Sequence, residues 1–211
     1  MNVLILGAAG RIAKHAIEFL MKEPDVQLTL FLRKPGRLKK SVSNNANIIE
    51  GDVVLDKKKL KEAIQGQDVV YANLDGEVDK QAVNIVQAMG ETGVKRLVFI
   101  TSLGIYDEVP GAFGKWNNRM VGKYLVPYRK AAEIIEASNL DYTILRPAWL
   151  TDEDEIDYET TEKNEPFKGT EVSRKSVAAL VVDLIKNPKR KKRKSLGVNK
   201  PNTDGDKPSF Y

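Results

Sequence analysis

Gly7, Gly10 and Ala13 fall at intervals of three within the stretch Asn2 to Ala13, NVLILGAAGRIA. Residues this small at this spacing let a backbone turn tightly and approach an anion closely. The run before them, Val3 to Leu6, is wholly apolar, as a parallel strand covered on both faces would be. The residues after them, Ile12, Ala16, Ile17 and Leu20, recur at helical spacing. The unpaired N–H groups of the first helical turn would then face the loop formed by Gly7, Ala8, Ala9, Gly10, Arg11 and Ile12, and would attract negative charge there. The pyrophosphate of a dinucleotide suits that place.

A second strand, Val26 to Leu32, ends in Arg33-Lys34-Pro35-Gly36-Arg37, a cluster of bases with no acid. At this position in a dinucleotide-binding sheet an acid holds the ribose 2′-hydroxyl of NAD, whereas a base accommodates the 2′-phosphate of NADP. Arg33, with Lys34 or Arg37 beside it and Arg11 as a second cation, therefore predicts NADP(H) in preference to NAD(H). Farther along, Arg96 to Ile100 reads as a strand that delivers Thr101 and Ser102 at its C-terminal end, the side on which such sheets bind ligands. A serine hydroxyl there can donate to a substrate carbonyl.

These residues need a sheet to bring them together, and the chain supplies one. Ile48 to Val54 is a third strand running into Gly51-Asp52-Val53, and Asp68 to Asn73 a fourth, with Asn73 and Leu74 placed to form the floor under a cofactor ribose. Asp52 is also a candidate N-cap for the helical pattern Lys57 to Ile64. Ala82 to Met89 is a helix closed by Gly90 and Gly93, and Leu140 to Arg146 is a sixth strand ended by Pro147. Strand and helix alternate with short connections, which predicts an α/β fold with a doubly wound parallel sheet between two helical layers. One domain over residues 1–211 is expected, with substrate-side loops at 103–125 and 148–172. Asp107 to Lys123, with Trp116, Asn117 and Asn118, reads as a long pocket-lining connection before a helix from Val126 to Ala137. Thr151 to Glu165 reads as an exposed flap, Ser173 to Ile185 as a helix capped by Ser173, Ser195 to Val198 as a short edge strand, and Pro201 to Tyr211 as a tail without core pattern.

Composition narrows the chemistry. The chain of 211 residues has no cysteine and a single histidine, His15, so thiolate chemistry is excluded and no metal site is expected. No apolar run reaches the length of a membrane span, and a cytoplasmic protein with a small-molecule substrate is expected. The net charge of +5 owes much to Lys186 to Lys194, where seven of nine residues are Lys or Arg. No interleaved aromatics or nucleic-acid-binding motif accompanies this run, and a solvated basic loop at 186–194 is the better reading.

The ordered set GAAGRIA, Arg33, Gly51-Asp52-Val53, Thr101-Ser102-Leu103-Gly104, Lys130 with Glu133, and Ser138 through Pro147 resembles the NmrA-like and NAD(P)-binding atypical short-chain dehydrogenases/reductases over residues 1 to about 190. The group includes reductases similar to flavin and biliverdin reductases. The resemblance implies a Rossmann-type fold and an NAD(P)H-dependent oxidoreductase acting on a small carbonyl, flavin-like or conjugated substrate. It further implies adenine contacts from Asp52 and Val53, a nicotinamide site bordered by Pro147, Ala148 and Trp149, and a ribose contact from the Lys130 ammonium. Typical members carry a proton-donating tyrosine four residues before the lysine, and here that position is Val126. Three alternatives follow: Ser102 with water serves as donor, or Tyr106 or Tyr124 reaches in, or the chain binds cofactor without chemistry and acts on a protein partner as an NmrA-type regulator.

Overall fold

The computed structural model describes residues 1–211. The N-terminal half alternates strictly: β1 (Asn2–Leu6), α1 (Arg11–Leu20), β2 (Gln27–Leu32), a short 3-10 turn (Pro35–Arg37), α2 (Lys40–Ser43), β3 (Asn47–Glu50), α3 (Lys57–Ile64), β4 (Val69–Ala72), α4 (Val78–Thr92) and β5 (Arg96–Ile100). Then follow α5 (Gly111–Glu136), β6 (Asp141–Pro147), β7 (Trp149–Thr151), β8 (Glu159–Glu162), β9 (Glu171–Ser173), α6 (Arg174–Lys186) and β10 (Lys194–Asn199). The main sheet has the order β3-β2-β1-β4-β5-β6-β10-β8. Its strands are parallel except β8, which runs antiparallel to β10. β1 is flanked by β2 and β4, with Ile5 opposite Leu30 on one side and Tyr71 on the other. The strand order reverses there, which opens a crevice at the C-terminal ends of the strands.

The strands are apolar throughout because both faces of the sheet are covered. Val3, Ile5, Leu30, Tyr71, Val98 and Leu145 face one core, shared with α1 and α6. Leu4, Leu6, Val70, Leu97, Phe99 and Ile144 face the other, shared with α3, α4 and α5. Successive strand residues point to opposite faces, so each contiguous run feeds both cores. This is the three-layer αβα sandwich expected.

The C-terminal half departs from expectation in four places. The connection 103–125 is mostly helix: α5 starts at Gly111 and runs 26 residues through Pro127. Its first half buries Phe113, Gly114 and Asn117 and turns Lys115, Asn118 and Arg119 outward, so polarity there marks the solvent face of a helix and not a loop. β10 is no edge strand, since β8 pairs with its outer side. The flap at 151–165 therefore contains the true edge, with Thr161 of β8 buried despite its polar sequence. The tail packs back on the molecule, as described below. Ser173 does cap α6, its hydroxyl oxygen accepting from the Ser176 N–H.

One buried ion pair fixes the turn between β5 and α5. Arg146, on β6, has a side chain 0% exposed and pairs with Glu108, 5% exposed. Glu108 also accepts the N–H groups of Gly104 and Tyr106, each at 3.0 Å. Arg146 donates a further bond through Nε to the Ser195 hydroxyl at 3.1 Å. Both carboxylate oxygens face donors, so an amide in their place would point its NH2 at one of them. Glu108→Gln should therefore cost about 3–5 kcal/mol, the usual penalty for stranding one member of a buried pair. Urea unfolding at unchanged m-value checks this, and a loss below about 1 kcal/mol would show the pair to be dispensable.

Candidate cofactor cleft and active site

The glycine turn is built against Asn73. Gly7 has φ +77°, and its N–H donates to the Phe31 carbonyl at 2.9 Å. A Cβ on Gly7 would lie 2.2 Å from the Asn73 carbonyl oxygen, and one on Gly10 would lie 1.9 Å from the Asn73 Nδ2. Gly7, left-handed and against backbone, admits no side chain, and at Gly10 a side chain would have to displace the Asn73 amide, so the turn nests closely on the end of β4. Ala8, Ala9 and Ile12 are buried and offer the turn only their backbone. α1 starts beyond Gly10 with no side-chain cap and no acid in its first turn, which leaves its leading N–H groups for an anion.

A cleft of about 470 Å³ opens from this turn, bordered by Gly10, Arg33, Arg37, Asp52, Asn73 and Leu74 among others. Arg33 is 76% exposed, with Nε 4.0 Å from an oxygen of Asp52. Lys34 and Arg37 border the same cleft. Asp52 is occupied on its other oxygen, which accepts the N–H of Val54 at 2.7 Å and of Leu55 at 3.2 Å. It thus closes the turn before α3, while the N-cap position itself belongs to Asp56. Val53 borders the cleft from the core beneath. Arg11, expected as a second cation for a phosphate, is instead paired with Asp152, which also accepts from Arg174 at 2.9 Å.

At the other end of the crevice, Thr101 is buried and donates its hydroxyl to the Leu145 carbonyl at 3.0 Å, a stitch between β5 and β6. Ser102 beside it is half-buried, and its hydroxyl takes part in no intramolecular hydrogen bond. The next residue, Leu103, donates its N–H to Pro147 at 3.1 Å, which brings Ser102 to the end of β6. Ala148 is buried, its N–H donating to Val198 at 2.9 Å. Trp149 is half-buried, and its indole N–H donates to Asn117 Oδ1 at 2.9 Å.

Three residues expected at this end are placed elsewhere or outward. Tyr106 donates to Glu136 at 2.9 Å, with the Lys163 ammonium 4.2 Å and the Arg146 guanidinium 5.3 Å from its ring centre. It is a strut between β6 and the end of α5, and burial, reinforced by Glu136, raises its pKa well above the usual phenol value. Lys130 is exposed and does not border the cleft. Tyr124 is 73% exposed. The aromatic hydroxyl that does reach the cleft wall is Tyr128, 3.4 Å from the Leu74 carbonyl and 3.3 Å from a carboxylate oxygen of Asp75. Burial, then the Asp75 charge, raises its pKa and keeps it a donor. Tyr128 stands two residues before the exposed Lys130, about 200° around the helix from it, which turns the tyrosine inward. The signal was in the stripe Val121, Leu125, Tyr128, Ala132 and Ile135, at steps of three and four, which packs on the α4 side of the sheet.

The basic run is largely neutralised. Lys186 pairs with Glu23, Arg190 with Asp183, Lys191 and Lys194 with Glu162, and Lys192 with Asp141. Arg193 donates to the carbonyls of Ser138 and Leu140, which leaves Lys189 alone without a partner. No helix is long and apolar enough to cross a membrane.

Comparison with known proteins agrees with this geometry. The NAD(P)H-binding family profile matches residues 7–188. A Rossmann-fold NAD(P)-binding family protein from Shigella flexneri is 52% identical over 100% of this chain and 98% of its own, with a TM-score of 0.86. A wide-type short-chain dehydrogenase/reductase from Veillonella parvula, solved in complex with NADP, is 31% identical over 99% of both chains, with a TM-score of 0.93. The anaerobilin reductase ChuY from Escherichia coli O157:H7 shares the fold at 20% identity and a TM-score of 0.81, covering 97% of this chain and 100% of its own. A phosphate-ready glycine turn at the switch point of the sheet and a match over most of the chain place this protein in the NAD(P)H-binding family of atypical short-chain dehydrogenases/reductases.

Proposed function

We propose that this protein is a reductase that prefers NADP(H) and acts on a small carbonyl, flavin-like or conjugated substrate. The observation that carries the reading is the group of three bases that borders the cleft beside the glycine turn, in a sheet whose β5 presents Ser102, half-buried, just beyond its C-terminal end. The residues fit the dinucleotide. The glycine turn and the first turn of α1 hold the pyrophosphate, and Arg33, with Lys34 and Arg37, takes the 2′-phosphate. Tyr128 keeps the Leu74–Asp75 loop in place beneath the ribose. The Veillonella parvula relative with NADP bound supports the cofactor assignment. When bound, the reduced cofactor supplies the hydride. Ser102 orients the acceptor by donating to its oxygen or nitrogen, and a proton from water completes the reduction, since neither Tyr106 nor Lys130 is placed to relay it.

A second reading, a nucleotide-sensing regulator without turnover, is favoured by one observation: no tyrosine stands one helical turn before Lys130, where Val126 is exposed. In that case cofactor occupancy alters affinity for a protein partner. NADPH oxidation with a panel of quinones, flavins and enals separates the two, and the absence of acceptor-dependent oxidation with intact NADPH binding decides for the regulator.

Arg33→Ala should weaken NADP(H) about tenfold and leave NAD(H) nearly unchanged. Tenfold sits at the low end for a charge-assisted bond because the guanidinium is solvent-exposed. Calorimetry with both cofactors checks this, and parallel loss of both would show Arg33 to be a soluble strand end. Ser102→Ala should lower kcat/KM with an active acceptor about a hundredfold, as removal of one aimed donor does, with cofactor affinity unchanged. Undiminished turnover would remove Ser102 from the reaction.

A further inference from the structure

Two residues beyond Pro147, whose carbonyl accepts the Leu103 N–H at 3.1 Å, Trp149 enters a cluster of rings drawn from three distant parts of the chain. Trp116, on the first half of α5, and Trp149, on β7, lie with ring centres 4.8 Å apart and planes inclined by 56°. Tyr211 stands edge-on to both, 5.1 Å from each, at 69° and 81°. Each indole is held from behind: Trp149 through its N–H to the buried Asn117, and Trp116 by the ring of Phe113, stacked at 6.1 Å.

Tyr211 is held differently. Its side chain contributes only ring contacts, to the two indoles and to Phe210 at 5.4 Å, and its N–H donates to Pro208 at 3.2 Å. It is 50% exposed and Phe210 51%. The segment that carries them is pinned just upstream. Thr170 donates its N–H and hydroxyl to the Thr203 carbonyl at 3.0 and 2.7 Å. Ser209 donates its N–H and hydroxyl to Glu171 at 2.6 and 2.8 Å. Glu171 lies opposite Trp149 in the β7–β9 ladder, so the tail is anchored beside the indoles and only its aromatic pair lies loosely upon them.

Two fixed indoles covered by one loosely held ring resemble a binding site with an internal occupant. No cation stacks on these rings, and the side-chain hydrogen bond made by the cluster runs from Trp149 to the neutral amide of Asn117. Recognition here therefore goes by ring surface and not by charge. Aromatic pairs at these separations gain beyond simple burial, and a fused planar ring system can cover both indoles at once, which a small aliphatic carbonyl cannot. The geometry points to Trp116 and Trp149 as the subsite that stacks a planar fused-ring acceptor, with Tyr211 occupying it until the acceptor displaces that ring. The inference rests on the reductase reading, which puts the acceptor at the C-terminal ends of β5 and β6, where Leu103 bonds Pro147 and the chain runs on into Trp149, and it narrows the substrate to fused-ring electron acceptors.

The test is a tryptophan-fluorescence titration with menadione, a planar bicyclic quinone, in the presence of oxidised NADP so that no turnover occurs. Cyclohexanone serves as the aliphatic control. Menadione should quench saturably and cyclohexanone should not. Tyr211→Ala should bind menadione about tenfold more tightly, because the internal competitor is gone. Trp116→Ala should bind it at least tenfold more weakly, whereas Trp116→Phe, which keeps a ring, should retain most of the affinity. Unchanged or weaker binding by Tyr211→Ala overturns the occupant role, and wild-type affinity in Trp116→Ala overturns the subsite. Calorimetry of NADP on the same proteins reads the cofactor cleft separately. Saturable quenching without NADP binding would sink the reductase reading while supporting the stacking subsite.

Discussion

The crevice depends on one steric constraint, the nesting of the glycine turn on Asn73. Gly7 and Gly10 come so near this residue that a methyl group on either would overlap it. Asn73 is itself held at the end of β4, its N–H donating to the Leu6 carbonyl at 2.9 Å, so the turn, β1 and β4 form one unit. That unit aims the start of α1 at the crevice and lines the space where the strand order reverses. A bulkier residue would push α1 away from the sheet, and the unpaired N–H groups of its first turn would lose their direction. The smallness of these residues thus acts at one remove: it serves packing between two strand ends, and the anion site is the result.

The N-terminal half was legible because its signals are local. Val3 to Leu6, Val69 to Ala72 and Arg96 to Ile100 are short, mostly apolar runs between breakers, and covering both faces of a parallel sheet demands such runs. The glycine turn and the basic end of β2 were legible for the same reason. The C-terminal half was not, because what fixes it lies far away in the chain. Asn117, buried in α5, accepts the Trp149 indole N–H, and the polar strand β8 pairs with the outer side of β10. Tyr128 follows the same rule. The phase of α5 is set by packing on α4, and that packing decides which residues turn inward. Pro127 added to the difficulty, since a proline inside a helical pattern ordinarily marks a boundary.

Charge is distributed in this protein by burial, and burial separates structural arginines from those available to a ligand. Arg96 is buried and donates to the carbonyls of Asp141, Leu184 and Arg190 and to the Thr143 hydroxyl. Burial lowers its pKa to about 10, with Asp141 opposing the shift, so the guanidinium stays charged at neutral pH and holds the C-terminal end of α6 to β5 and β6. Arg146 does comparable work between Glu108 and Ser195. These two are spent inside the fold. The exposed cations of the basic run are mostly paired with neighbouring acids, in pairs that individually contribute about 0–1 kcal/mol and serve mainly to cancel like charge. What remains facing the crevice is the short group after β2, where Lys34 and Arg37 have no acidic partner and Arg33 has only Asp52, 4.0 Å away, whose other oxygen accepts two backbone N–H groups. A net charge spread over the whole chain would have suggested a polyanion partner. Concentrated at one strand end beside an anion-ready helix, the same sign of charge fits a single phosphate, and it is this localisation, not the total, on which the proposed preference for NADP(H) rests.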